Sequence, residues 1–230
     1  MANKICVKKT WIPLTTREIL ALTDRQNARL ISSTSDLLEI LEETLLKYET
    51  ELHGTQNPVR DLWDRQGSEQ IYRPVEEPAV SDVITRYLRR ELEGRGIFAN
   101  REVEVKRRPG APVGTRTDIL INAFRRADDG SSFDSITAVI EVKGCWNSEL
   151  FSSLENQLVR EYMVQVGASI GIYLVAWFDV VQWDSDDNRR KRVPRGTRNN
   201  VNERLNQQAA HLPEGFQVKP VVLEIRTPGT

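Results

Sequence analysis

The segment Glu141-Val142-Lys143 combines an acid and an ammonium group within a run of β-forming residues. Side chains two apart in a strand point to the same face, so Glu141 and Lys143 should lie side by side. Burying such charges is unfavourable unless a partner or a ligand compensates. A carboxylate and an ammonium can together hold a divalent cation and contact a phosphate or a water. For the triplet alone, the simpler interpretation is a solvated ion pair of small energetic value.

A second acid, Asp118, stands at the start of another short apolar segment, Thr117–Asn122. If this segment and the one containing Glu141 are neighbouring strands, the two carboxylates lie close together and repel each other. A divalent cation between them would remove the repulsion. Mg²⁺ is bound by one or two carboxylates with water and substrate phosphate, and Mn²⁺ accepts the same oxygen ligands. We therefore expect a Mg²⁺ site in which Mn²⁺ can substitute.

The elements that must position these residues follow from hydrophobic periodicity. The pattern predicts an amphipathic helix after Pro78, three strands joined by turn residues, a helix over 149–166 and an apolar strand over 170–178. A polar loop, a helix over 201–210 and a strand over 217–225 follow. Turn residues between the three strands favour antiparallel hairpins, whereas the apolar run 170–178 is typical of a strand covered on both faces. The predicted class is α/β, with a central mixed sheet flanked by helices.

Asp118 and Glu141-Val142-Lys143, in this element order, resemble the PD-(D/E)XK nuclease superfamily. The resemblance covers about residues 74 to 180 and implies a restriction-endonuclease-like core of helix, three strands, helix and strand. Gly114–Asp118 is similar to the glycine-rich entry to the family's aspartate strand. Gln157 and Tyr162 resemble the Gln-and-Tyr helix of the RecB-type branch, although the spacing here is one residue longer than the common one.

The resemblance implies a role for each matching residue. Asp118 and Glu141 would ligate metal together with the carbonyl of Val142, and Lys143 would activate water and stabilise phosphate charge. Gln157 would bond near the lysine or the scissile phosphate; a surface glutamine is the ordinary alternative. The family often adds an acid from the first core helix, and Glu77 is the candidate here, with Glu76 a weaker one. Acids are common in first helical turns for dipole reasons alone.

Two basic clusters are candidates for nucleic-acid contact. The same residues would also fit a solvated surface loop in which opposite charges neutralise each other. The predicted contact residues are Arg107, Arg108 and Arg116 in the first cluster, and Arg189, Arg190, Lys191 and Arg192 in the second.

Composition limits the remaining possibilities. With 32 Lys and Arg against 33 Asp and Glu, the chain has no global positive field, so any nucleic-acid contact must be local. Two cysteines and two histidines are too few for a Cys/His zinc site. No apolar run has the length of a signal peptide or a membrane span, which predicts an intracellular, cytoplasmic protein without a membrane partner.

The chain is also expected to divide near residue 70. A helical N-terminal region, 1–70, contains an amphipathic helix around Leu37–Leu46 with Ser35 as its N-cap, and 71–230 forms the nuclease-like domain. The apolar stripes of the first region lack clear partners within it. It is therefore expected to contact a sensor or NTPase protein or domain, or to be the end of one; a homo-oligomer is also compatible.

These observations predict a metal-dependent nuclease that hydrolyses phosphodiester bonds, with DNA as the favoured substrate. By analogy it would be the effector of a prokaryotic anti-phage defence or DNA-processing system. Two alternatives stay open: an RNase that uses the same site, and a non-catalytic nucleic-acid-binding or assembly module with the nuclease fold.

Overall fold

The structure is a computed structural model, and it describes residues 31, 33–55, 58–66, 71–106, 115–126, 133–181 and 183–228. Contacts between residues group Ile31–Thr230 as one compact unit. No helix in the described part of the chain is both long enough and apolar enough to span a bilayer.

A five-stranded mixed sheet forms the centre of this unit. Its strands, in spatial order, are β3 (Ile97–Lys106), β4 (Thr115–Arg126), β5 (Phe133–Gly144), β6 (Ile170–Phe178) and β7 (Gln217–Ile225). Strands β3, β4 and β5 pair antiparallel, whereas β5, β6 and β7 pair parallel. The predicted α/β class and mixed sheet are confirmed.

Helices cover both faces of the sheet. They are α1 (Thr34–Leu52), α2 (Glu77–Leu92), a π-helix (Leu154–Met163) continued by the α-helical turn α3 (Val164–Val166), and α4 (Arg198–Ala210). Helices α1 and α2 contact each other and the sheet. The π-helix and α4 also contact each other and the sheet. Short 3₁₀ helices lie at Pro58–Leu62, Glu93–Arg95 and Arg190–Arg192. A small antiparallel hairpin, β1 (Trp63–Gln66) and β2 (Ile71–Pro74), precedes α2.

Helix α1 packs its apolar stripe onto β6 and β7. Its leucines Leu37, Leu38, Leu41 and Leu45 are almost completely buried, whereas Leu46 remains 49% exposed. The N-cap is Ser33, not the predicted Ser35, because Ser33 and Asp36 form a reciprocal capping box. Helix α1 therefore packs on the sheet of the domain that the sequence predicts from residue 71 onward. The predicted division at 70 otherwise stays a prediction, since residues 1–30 lie outside the described part.

The apolar strand predicted over 170–178 is confirmed as β6. Eight of its nine residues are buried, as expected for a parallel strand with helices on both faces. Near its carboxyl end, Phe178 joins an aromatic cluster with Trp63, Trp146 and Trp183, whose ring centroids lie 4.9 to 6.4 Å apart. This cluster closes the end of the core beside the carboxyl end of β5.

Candidate active site

Asp118 and Glu141 lie opposite each other where β4 and β5 separate. The last ladder pair is Ile119 with Ile140, and the next residues along are Asp118 and Glu141. Beyond the ladder, the Val142 backbone N–H donates a hydrogen bond to Asp118 Oδ2 at 2.9 Å. The aspartate thus bonds to the backbone where the strand pairing ends. The expected closeness of the two acids follows from this register.

The Glu141 carboxylate is buried and almost unpartnered. Glu141 is 1% exposed, and neither carboxylate oxygen accepts a well-formed hydrogen bond from the described residues. Its ion-pair partner is Lys143, whose Nζ lies 2.7 Å from Oε1. Burial, together with the nearby Asp118 charge, raises the pKa of Glu141 to about 8. Burial also raises the pKa of Asp118, although its side chain is 31% exposed.

Lys143 is held in place by two neighbours. Besides Glu141, its Nζ donates to Gln157 Oε1 at 2.8 Å, and its side chain is only 8% exposed. Burial alone would lower the pKa of Lys143, but the adjacent Glu141 charge outweighs it, and the pKa is raised. The lysine is therefore an ammonium with a fixed position rather than a mobile surface charge.

The helix that carries Gln157 is a π-helix over Leu154–Met163. Gln157 Nε2 donates to Tyr162 Oη at 2.5 Å, five residues further along. A π-helix brings residues i and i+5 together, as an α-helix does for i and i+4. The extra residue between Gln157 and Tyr162 is thus accommodated by the helix type, and the two side chains still meet. Lys143, Gln157 and Tyr162 form one hydrogen-bonded chain.

Glu77 begins α2, and its carboxylate reaches the end of β5. Oε1 accepts hydrogen bonds from the Gly144 backbone N–H at 2.9 Å and from Asn147 Nδ2 at 2.8 Å. Glu77 contributes to the electrostatics of Asp118, Glu141 and Lys143. Its observed role is therefore to tie α2 to the turn after β5. Glu76, the weaker candidate, is turned to Arg189 instead.

No group of three or more His, Cys, Asp and Glu side chains arranged to hold a metal ion occurs among the residues that the structure describes. The carboxylate pair of Asp118 and Glu141 nevertheless fits a hard cation, because Glu141 offers two buried oxygens without hydrogen bonds. The carbonyl of Val142 and the second oxygen of Glu77 stay predicted ligands.

The predicted basic residues separate into different environments. Arg107 and Arg108 lie outside the described residues. Arg116 is 44% exposed and pairs with Glu102, so it remains accessible from solvent. Arg189, in contrast, is only 14% exposed.

Of the other predicted contact residues in the loop, Lys191 and Arg192 are accessible from solvent, as contact with nucleic acid requires. Arg190 donates to the Trp183 carbonyl at 3.0 Å and is half-buried. Lys191 is exposed and donates to Asn188 Oδ1, and Arg192 is exposed. Only part of this loop can therefore meet a ligand without rearranging.

Two residues near the site were not foreseen from the sequence. Arg101 donates to the Asp118 carbonyl at 3.0 Å and to Asp82 Oδ1 at 2.6 Å, which joins β4 to α2 beside the site. Asn147 fixes Glu77 as described above. Arg101 lies in an alternating strand segment and Asn147 lies shortly after Glu141-Val142-Lys143, and no local signal in the sequence distinguishes either residue.

Comparisons of the chain with family models, with curated proteins and with solved structures gave no match.

Proposed function

We propose that the chain is a metal-dependent nuclease of the PD-(D/E)XK type, with a restriction-endonuclease-like core, and that it hydrolyses phosphodiester bonds in DNA. The observation that carries the proposal is the buried Glu141 carboxylate, unpartnered except for Lys143 and opposite Asp118. A folded protein rarely retains such an arrangement without a ligand that compensates it.

Each residue has a distinct chemical task in this proposal. Asp118 and Glu141 would hold Mg²⁺, with Mn²⁺ as a substitute, and the cation would supply Lewis-acid activation of water and phosphate. Lys143, fixed by Glu141 and Gln157, would donate hydrogen bonds to a phosphate oxygen and stabilise the negative charge that develops there. Tyr162 would keep the Gln157 amide oriented so that its oxygen faces the ammonium.

Electrostatics support the same division of roles. The negative charges of Glu77, Asp118 and Glu141 act on the buried ammonium of Lys143. A phosphodiester would be repelled by the acids alone, so a divalent cation and Lys143 are both needed to accept it. A neutral side chain at position 143 should therefore abolish turnover even when metal is bound.

The test is cleavage by the purified chain of supercoiled plasmid, linear duplex, single-stranded DNA and RNA, with Mg²⁺, Mn²⁺ or EDTA. Asp118→Asn and Lys143→Met should lose metal-dependent cleavage. The matched controls are Asp64→Asn, an exposed acid in β1, and Lys219→Met, a lysine of β7 that pairs with Glu42 and is separated from β5 by strand β6. Both controls should cut as the wild type does.

The substrate panel also separates the alternatives. Cleavage of RNA alone would make the chain an RNase that uses the same site. Binding without cleavage, in every metal and unchanged by added partner proteins or nucleotide signals, would favour the non-catalytic module. Equal cleavage by wild type, Asp118→Asn and Lys143→Met would refute the assignment of the site.

The biological setting is proposed by analogy alone: an intracellular effector in anti-phage defence or DNA processing, acting with a sensor or NTPase partner. Arg116, Lys191 and Arg192 are predicted contact residues that are exposed, and we expect nucleic acid to be contacted through them. Charge reversal of these three residues should weaken DNA binding and reduce its dependence on salt.

A further inference from the structure

Arg189 lies in the basic loop but makes a set of intramolecular contacts. Its guanidinium bonds to both carboxylate oxygens of Asp187 at 2.8 to 3.1 Å, and Asp187 also accepts from Trp183 Nε1 at 2.9 Å. The Arg189 guanidinium also donates to the Pro74 carbonyl and to Glu76 Oε1, each at 2.8 Å. These partners engage all three nitrogens of the guanidinium, and the side chain is only 14% exposed, so Arg189 is poorly placed to bind a phosphate.

Arg189 contacts residues near both ends of the hydrogen bond between the Gly144 N–H and the Glu77 carboxylate. Pro74 and Glu76 lead directly into Glu77 at the start of α2. On the other side, the Arg189 guanidinium lies 5.1 Å from the centroid of the Trp146 ring. That ring is so close to Gly144 that a Cβ there would come within 2.5 Å of it. Arg189 thus contacts both the segment before Glu77 and the residue that packs on Gly144.

The start of α2 has contacts besides those of Arg189, since Glu77 accepts from Gly144 and Asn147, and Arg101 donates to the Pro78 carbonyl at 3.0 Å. The N-cap residue, Glu76, makes no side-chain capping bond. The Val75 backbone N–H donates to the Leu62 carbonyl, which anchors the segment one residue earlier than Glu76. Arg189 adds bonds to Pro74 and Glu76, on the segment that leads directly into Glu77.

The guanidinium shape matters for this contact set. A planar fork can bond to a carboxylate bidentately, reach a carbonyl with another N–H and stack on an aromatic face at once. A lysine ammonium is a point charge with three donors and cannot make all of these contacts together. The exposed Glu76 contact contributes little alone, since its side chain is 74% exposed. The Asp187, Pro74 and Trp146 contacts are the buried part of the set.

We propose that Arg189 is a positioning residue that holds the Glu77 carboxylate on the Gly144 N–H and thereby sets the metal-binding geometry beside Glu141. The consequence for metal binding rests on the proposed function, whereas the effect on the Glu77–Gly144 hydrogen bond does not. Residues that support a metal site in this indirect way typically change metal affinity by about 10- to 100-fold when they are replaced.

The first measurement is the amide hydrogen exchange of Gly144 in the full-length protein labelled with ¹⁵N. Arg189→Met should speed this exchange towards that of Glu77→Gln, and Arg189→Lys should do the same because it keeps the charge but not the fork. Arg189→Lys also provides the result if the Met variant does not fold. The matched control is Arg198→Met, which removes another arginine that bonds bidentately to a glutamate, Glu49, away from the site.

The second measurement is Mn²⁺ binding by the same proteins, followed by electron paramagnetic resonance. Arg189→Met should weaken Mn²⁺ binding about tenfold. It should have no further effect in a Glu77→Gln background, because Arg189 acts through Glu77. Arg198→Met should bind as the wild type does.

The outcomes distinguish this inference from the proposed function. Gly144 exchange in both Arg189 variants that equals that of Arg198→Met would overturn the positioning role. A full Arg189→Met effect on Mn²⁺ binding in the Glu77→Gln background would also overturn it. If wild type binds no Mn²⁺ and cleaves nothing, the proposed function fails, and the Gly144 exchange still decides the role of Arg189.

Discussion

Replacing Glu141 with glutamine should stabilise the metal-free protein more and more as the pH rises from about 5 to about 8. The pKa of Glu141 is about 8 in the folded protein, against 4.5 for an ordinary glutamic acid, because the carboxyl is buried beside Asp118. A raised folded-state pKa means that the folded protein retains a proton that the unfolded chain has already released. The resulting stability is complete below pH 4.5 and is lost as the pH rises through 8.

The size of the effect follows from the same two pKa values. They differ by about 3.5, and each pKa unit corresponds to about 1.4 kcal/mol, so the pH-dependent part is at most roughly 5 kcal/mol. Glutamine has no proton to lose and keeps nearly the same shape. The attraction between Glu141 and Lys143 is already included in the wild-type value, because Lys143 lowers the pKa of Glu141 against the effect of burial.

The assay is urea denaturation in EDTA at intervals from pH 4 to pH 9. The difference in unfolding free energy, variant minus wild type, should be flat below about pH 4.5, rise by several kcal/mol and level off above about pH 8. Glu224→Gln is the control, because pairing with Arg226 lowers the pKa of Glu224, so its difference should not rise over this range. Parallel curves for Glu141→Gln and wild type between pH 5 and 8 would refute the buried, raised-pKa description of the site.

Three further predictions concern the same region. Mg²⁺ should raise the thermal midpoint of the wild type more at pH 8 than at pH 6, because binding requires the ionised Glu141; an equal rise in Glu141→Gln would contradict this. Tyr162→Phe should leave the fold intact by circular dichroism but slow cleavage, since Gln157 loses its acceptor; an unchanged rate would exclude a role for that bond. Gly144→Ala should lower unfolding free energy by about 1–3 kcal/mol in denaturant titrations, because the new Cβ meets the Trp146 ring at 2.5 Å; a neutral effect would mean that the ring moves freely.

The parts of the fold that sequence predicts well are those with a local signal. The uninterrupted apolar run of β6 and the last strand, β7, have the predicted bounds. The placement of Asp118 beside Glu141 was predicted from hairpin turns and strand alternation, and the β4–β5 register brings the two together. In each case residues within one element, or in two consecutive strands, contain the information.

Features that depend on tertiary partners were not visible in the sequence. Arg189 belongs to a basic run, and only the folded chain brings Pro74 and Glu76 to it from more than 100 residues away. The π-helix was predicted as an ordinary helix, because apolar spacing does not distinguish the two types when the buried face is broad. The Glu77 bond to Gly144 likewise joins a helix start to a strand end that is remote in sequence.

The buried charged residues of the candidate site lower the stability of the metal-free fold. A buried carboxyl without hydrogen bonds, a neighbouring aspartate and a fixed ammonium could all be replaced by apolar residues that pack well, and the metal-free fold would be expected to gain from it. Around this arrangement, Gln157, Arg101 and Asn147 supply the bonds that fix Lys143, Asp118 and Glu77 in position. Repelling carboxylates that are fixed in position by well-formed neighbouring hydrogen bonds are characteristic of functional sites. In a cluster with a structural role alone, apolar residues would be more stable. A cation between Asp118 and Glu141 would offset the conflict, so metal binding and stability should increase together in this protein.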